Sequence, residues 1–227
     1  MEILYRGMLK EEIPFYIREL YLDDLANILD VQNEVVDVLE NSESLATLSK
    51  EEFEFILSGN GRLLGVFADD RLIAFRSTLV PEVDNEHLGL DVGLDITELS
   101  TVIYQEISSV SPLYRGHGLQ RLMAVVLMKQ LEMGQFRYVC ATVAPFNIPS
   151  LKDKFSQQME IAALKEKYGG MLRYVFVKNL RCIQNVYNGE RLIPMEDTVT
   201  QQKLLADGWR GTGMAETLDG WIVQYQR

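Results

Sequence analysis

The residues best placed to do chemistry lie in Val110-Ser-Pro-Leu-Tyr-Arg-Gly-His-Gly-Leu-Gln120, between a run that reads as a strand and one that reads as a helix. Gly116 and Gly118 have no Cβ, so the amides of this turn can approach a ligand closely. The helix that starts behind them brings unpaired N–H groups and a partial positive charge. Arg115 and Arg121 flank the turn. Together these groups form an anion site, and a diphosphate suits it better than a single carboxylate.

The charge distribution points the same way. Residues 107–152 hold five basic side chains, Arg115, Arg121, Lys129, Arg137 and Lys152, against one acid, Glu132, a net +4. The whole chain of 227 residues carries −11, which leaves −15 elsewhere. Other anion and catalytic motifs are missing. A P-loop would need a lysine and a hydroxyl that are not present, and Arg121 stands where a dinucleotide fold would place its third glycine. With His87 and His117 as the only histidines, Cys140 and Cys182 far apart and no HExxH, no metal site is expected. No GxSxG elbow marks a serine hydrolase.

Several elements must position this turn. Residues 13–20 (IPFYIREL) read as a strand, and Asp23 and Asp24 open a helical pattern through Leu25, Ile28, Leu29, Val35, Val36 and Leu39. Ser49 and Glu52 form a capping-box pair for a short helix that Gly59 and Gly61 stop. Residues 62–68 and 71–80, joined by Asp69-Asp70, predict an antiparallel hairpin closed at Pro81. Residues 82–100 read as mostly loop, 101–110 as a strand, and 118–133 as a helix with Gly134 at its C-terminal cap. Its apolar stripe runs through Leu119, Leu122, Met123, Val126, Leu127 and Leu131. Strands over 136–143 and 171–177 bracket a helix from about Pro149 to Phe155; the tail predicts a helix over 198–206 and a last strand over 221–225.

This order of elements, with Val110-x-Pro112-x-Tyr114-Arg115-Gly116-His117-Gly118-Leu119 leading into a helix, resembles the GNAT superfamily of acyl-CoA-dependent N-acetyltransferases over residues 13–178. The resemblance implies an α/β fold: a mixed, mostly antiparallel central sheet with a parallel β-α-β coenzyme-binding unit and helices on both faces. It implies one domain over 1–227, with an extension over 179–227 supplying a helix and a last strand. Arg115 and Gly118 match the family's R/Q-x-x-G-x-G/A loop, while Gln120 fills its last small-residue slot. The coenzyme site so implied comprises the backbone of Ser108, Ser109 and Val110 for the pantetheine arm and Arg115, Gly116, His117, Gly118, Leu119, Gln120 and Arg121 around the diphosphate. Asn147 and Ser150 are implied near the pantetheine end.

Transfer of an acyl group to an amine requires a neutral amine, yet an alkylamine with a pKa near 10.4 is almost wholly protonated at pH 7. A base must take that proton, and an acid that reprotonates the thiolate helps. Thr142 and Lys154 occupy the positions that commonly supply these groups in the family. The alternation of Tyr104, Glu106 and Ser108 predicts that they share one strand face, with Glu106 as base and Tyr104 as donor or substrate-orienting group. Tyr168-Gly169-Gly170-Met-Leu-Arg173 resembles a subgroup of the family; Arg173 either faces the acceptor or pairs with an acid.

The resemblance implies acetyl-CoA as cosubstrate and no metal. The expected partners are the coenzyme A thioester and a small-molecule or protein amine, with a homodimer left open. The alternative function is a non-catalytic acyl-CoA sensor or regulatory domain. Net negative charge argues against nucleic acid and anionic membranes and favours a cationic acceptor. The longest apolar stretch, 122–128, is far short of a membrane span, and Met1-Glu2 lacks the basic flank of a secretory signal. Cys140 and Cys182 are expected as structural filler in a reducing compartment, so a cytoplasmic location is expected.

Overall fold

The computed structural model describes residues 2–38, 47–182 and 186–227. The chain divides into two compact units interleaved in sequence, Met1–Pro81 with Ile103–Gly134 and Glu82–Val102 with Gln135–Arg227.

In the first unit, strands β1 (Ile3–Met8), β2 (Pro14–Glu19), β3 (Gly61–Ala68), β4 (Arg71–Leu79) and β5 (Val102–Val110) pair antiparallel in that order. β2 starts at Pro14, whose ring is tolerated at a strand's first residue. β3 and β4 turn at Asp69 and Asp70, both at positive φ (47° and 58°), the pair of left-handed residues that a tight hairpin needs. Helix α1 (Leu25–Val36) follows a single turn at 22–24, and α2 (Lys50–Phe55) starts on the Ser49–Glu52 capping box, with the Glu52 amide on Ser49 Oγ at 3.2 Å. Leu39 lies outside the described residues.

These helices cover one face of the strands: Ile28, Val31, Phe53 and Ile56 pack with Leu20, Leu63, Phe67, Leu72, Phe75 and Ile107. Helix α4 (Leu119–Glu132) packs on β3 and β4. Its buried residues are Leu119, Met123, Ala124, Leu127, Met128 and Leu131, so the buried stripe is rotated from the predicted one. Leu122 and Val126 are only half-buried, and Ala124 and Met128 take the inner positions. Gly134 follows the helix end with its amide on the Leu131 carbonyl, at 3.0 Å.

A buried ion pair joins β2 to the start of α1. Arg18 donates to both carboxylate oxygens of Asp24, at 2.8 and 2.7 Å, and lies over the Phe67 ring at 4.1 Å. Burial raises the Asp24 pKa, but the Arg18 hydrogen bonds, the Tyr21 amide and the Arg18 charge outweigh it and hold the carboxyl below its ordinary value. A carboxylate with a lowered folded-state pKa stabilises the fold above about pH 4, and that stability is lost as pH falls through the folded value. Asp24→Asn is expected to cost about 2 kcal/mol at pH 7 and to flatten the acid limb of stability, as measured by urea unfolding from pH 7 to 3.

In the second unit, the strand order is β6 (Tyr138–Val143), β8 (Met171–Asn179), β7 (Glu160–Lys167), β10 (Arg210–Thr217), β11 (Gly220–Gln226) and β9 (Glu190–Pro194), all antiparallel neighbours. The 82–100 segment is not all loop: it forms a short helix α3 (Leu88–Asp91) and a 3₁₀ segment over 96–101. Helix α5 (Ile148–Ser156) and helix α6 (Thr198–Ala206) complete the unit. The region after 179 therefore supplies the predicted helix but three strands in place of one. β9 and β10 escape a sequence reading because ERLIP is short and RGTGMAET is rich in glycine and polar residues. Gln201, fully buried, ties the tail in: its Oε1 accepts from Tyr174 and Tyr225 hydroxyls at 2.7 and 2.8 Å, and its Nε2 donates to the Pro194 and Met195 carbonyls.

Cys140 is buried, and burial pushes its thiol pKa well up, as filler requires. Cys182 is exposed, contrary to the filler expectation. Among the described residues no helix is long and apolar enough to cross a membrane.

Candidate functional site

β5 hands the chain to the glycine turn through Ser111, which is fully buried. Its amide donates to the Ile73 carbonyl at 2.9 Å, and its hydroxyl donates to Glu34 Oε2 on α1 at 2.6 Å. Glu34 also takes an ion pair from Arg71 at the start of β4. Pro112 opens a single 3₁₀ turn over 112–114, closed by the Tyr114 amide on the Ser111 carbonyl at 2.9 Å. The entry to the turn is thus anchored on α1 and β4, while the turn itself faces outward.

Gly116 and Gly118 sit at φ +79° and +71°, and a Cβ on either would meet no atom within 4 Å. Their conformation is left-handed, which favours glycine, and the space beside them is open. α4 begins directly after Gly118, with the Leu122 amide on the Gly118 carbonyl at 3.0 Å. Among the described residues, the amides of Gly116, His117, Gly118, Leu119, Gln120 and Arg121 donate to no other group. Six N–H groups at the start of a 14-residue helix therefore remain open to an anion. The Arg115 and Arg121 side chains are exposed beside them. His117 is tethered: its Nδ1 accepts the Lys10 amide at 3.3 Å, so the ring braces the turn against the segment after β1.

The predicted common face of Tyr104, Glu106 and Ser108 is not present. Arg76 pairs with Ser108 and Thr78 with Gln105, so two residues, Glu106 and Ile107, face the single Ser77 of β4. This extra residue is a β-bulge, and the alternation that the sequence suggests breaks there. Tyr104 pairs with Leu79, three residues beyond the Arg76 that pairs with Ser108, so Tyr104 and Ser108 lie on opposite faces. The Ile107 amide turns to Ser77 Oγ at 3.3 Å, Glu106 is exposed, and Tyr104 is half-buried. Ser109 and Val110 pair with Phe75 and Ala74. The hydroxyls of Ser108 and Ser109 are buried and have no hydrogen-bond partner among the described residues.

The second unit holds the remaining predicted residues. Asn147 caps α5, its Oδ1 accepting the Ser150 amide at 3.3 Å, and Phe146 before it is held at φ +66°. Thr142 Oγ1 lies 3.1 Å from the Tyr168 hydroxyl. Lys154 is buried beside Asp153, Nζ to Oδ2 3.3 Å, and Gln157 Nε2 donates to the same oxygen at 3.0 Å. Arg173 donates to the Leu172 carbonyl at 3.0 Å. Among the described residues, no three or more His, Cys, Asp and Glu side chains gather as a metal site would require.

Glu34, Arg71, Ser77, Arg76 and Lys10 all support the turn and escaped the sequence reading. No local signal could have found them, because Glu34 and Ser111 are 77 residues apart and Lys10 and His117 are 107 apart.

No protein-family model matches the chain, and no curated protein matches it by sequence. Solved structures do match by fold. An N-acetyltransferase from Staphylococcus aureus Mu50 superposes with a TM-score of 0.57 at 16% identity, covering 74% of this chain and 99% of that one. An acetyltransferase of the GNAT family from Streptococcus pneumoniae gives 0.55 at 17% identity, covering 73% and 98%. PaiA N-acetyltransferase from Thermoplasma acidophilum, solved in complex with coenzyme A, gives 0.53 at 14% identity, covering 73% and 98%. The fold is therefore that of the GNAT acetyltransferases, and about a quarter of this chain lies beyond the superposed part.

Proposed function

We propose that the chain is an N-acyltransferase that takes an acyl group, acetyl in the first instance, from its coenzyme A thioester to a primary amine of a small molecule or protein, by direct attack in a ternary complex. The observation that carries this reading is the set of six open amides at the start of α4, beside Arg115 and Arg121, in a fold shared with N-acetyltransferases. The residues fit a diphosphate: the two glycines leave the approach clear, and among the described residues no carboxylate is hydrogen-bonded to the turn's amides. Each arginine adds about 1.5–3 kcal/mol where its bond to phosphate is desolvated, and the helix end about 0.3–1 kcal/mol.

When bound, the coenzyme supplies the activated thioester. The chain's own residues do the rest. The backbone of Ser108, Ser109 and Val110 is assigned to the pantetheine arm. Glu106, turned outward by the bulge, is assigned to take the proton from the attacking amine; Tyr104, on the face of Leu79, is assigned to orient the acceptor. The acidic remainder of the chain favours a cationic acceptor.

A thermal-shift titration with coenzyme A and acetyl-CoA tests the binding step, since ligand at about 100 times its Kd stabilises by about 2.7 kcal/mol. Raised melting with both ligands is expected, and no rise at saturation rejects the reading. Thiol release measured with a panel of amines tests the transfer step. A shift without thiol release from any amine points to the sensor function instead.

A further inference from the structure

We propose that residues 190–226 are a second copy of the β6–α5–β7–β8 unit and serve as its built-in partner: the outer edge of β7 fits β10 of the same chain rather than a second chain. The two copies run in step. α5 (Ile148–Ser156) and α6 (Thr198–Ala206) are both nine residues long, β7 and β10 both eight, and each of the later elements starts fifty positions after its counterpart. Local bonds repeat at the same interval. Asn147 Oδ1 accepts the Ser150 amide at 3.3 Å, and Asp197 Oδ1 accepts the Thr200 amide at 3.1 Å. After each helix the Met159 amide donates to the Lys154 carbonyl at 3.2 Å, and the Trp209 amide to the Leu204 carbonyl at 3.0 Å. The bulges match as well: pairing slips between Ile161 and Ala163 on β7 and between Gly211 and Gly213 on β10. The side chains differ, which hides the repeat in the sequence: Leu151 corresponds to Gln201, Lys154 to Leu204, and Tyr168 to Leu218.

The strand order β6-β8-β7-β10-β11-β9 reads the same from either end when each strand is exchanged for its counterpart. A pseudo-two-fold axis therefore runs between β7 and β10, and Ile161 pairs there with Gly211, its own counterpart. Contacts cross the axis reciprocally, as in an isologous dimer. Lys152 of α5 lies over the Trp221 ring of β11 at 4.8 Å, while its counterpart Gln202 of α6 donates to the Leu164 carbonyl of β7 at 3.1 Å. Sizes on the axis are unequal: a Cβ at Gly211 would stand 2.9 Å from the Ile161 Cβ. Two β7 strands in this geometry would set isoleucine against isoleucine and overlap, so the glycine copy fits where a second β7 does not. An open strand edge invites pairing with another chain, and β10 closes this one.

Amide hydrogen exchange over β7 and β10, with circular dichroism to monitor folding, tests this on the full chain. In the wild type, β7 protection is expected to stay constant on dilution. Protection lost on dilution shows that a second chain covers β7 and overturns the assignment. Gly211→Ile is expected to speed exchange in both strands by about tenfold. Ile161→Gly combined with Gly211→Ile exchanges the two residues across the axis, and is expected to recover most of that protection. A two-fold relation requires this recovery, and an unrelated contact does not give it. An exchanged pair that protects no better than Gly211→Ile overturns the proposal. Should the isoleucine variants fail to fold, Gly211→Ala, alone and with Ile161→Gly, is read in the same way.

Discussion

Gly118→Val is expected to weaken coenzyme A binding by about a hundredfold while leaving a folded protein, as read by calorimetric titration and circular dichroism. The position is left-handed at φ +71°, and a Cβ there has no atom of the described residues within 4 Å. The first carbon of a valine side chain is therefore accommodated; the substitution costs about 1–2 kcal/mol of backbone strain and projects into the space through which a phosphate must reach the amides of residues 116–121. Strain alone reduces stability, whereas obstruction of the nest reduces affinity. Unchanged affinity in a folded variant would remove the turn from the binding site.

Glu106→Gln is expected to lower kcat by about 10²–10⁴-fold with coenzyme A affinity held constant. Glutamine keeps the shape of the side chain and cannot accept the proton that an attacking alkylammonium must lose before its nitrogen is a nucleophile. The bulge gives this residue its opportunity. It frees Glu106 from strict alternation and exposes it, while the Ile107 amide beside it is taken by Ser77. A variant with undiminished thiol release rejects Glu106 as the base and leaves the diphosphate site intact; a loss of coenzyme affinity in step with rate would point to a binding role instead.

Much of the first unit is legible in the sequence, for reasons that are local. The Ser49–Glu52 box, the Asp69-Asp70 turn and the Gly116-x-Gly118 entry to α4 each encode geometry within a few residues. A reader of spacing alone can place them. The bulge in β5 is different: Tyr104-Gln-Glu-Ile-Ser108 has no glycine or proline to mark an extra residue, and the shift becomes visible only against the register of β4. That single insertion overturns the shared face predicted for Tyr104 and Ser108 and brings Gln105 to Arg76. β7 reads as EIAALKEK, whose alanines and charges have low strand propensity; pairing with β8 and the Gly211 contact of β10 decide its conformation. Asn147, singled out by resemblance, sits where local sequence also places it, as the cap of α5.

The most direct measurement is a titration of the isotopically labelled protein with coenzyme A followed by amide ¹H–¹⁵N spectra. Large shifts are expected at Gly116, His117, Gly118, Leu119, Gln120 and Arg121, with the same set moving, more weakly, on addition of ADP. Spectra in which coenzyme A binds but leaves those six amides unmoved, or in which saturating coenzyme A moves nothing, would contradict the account.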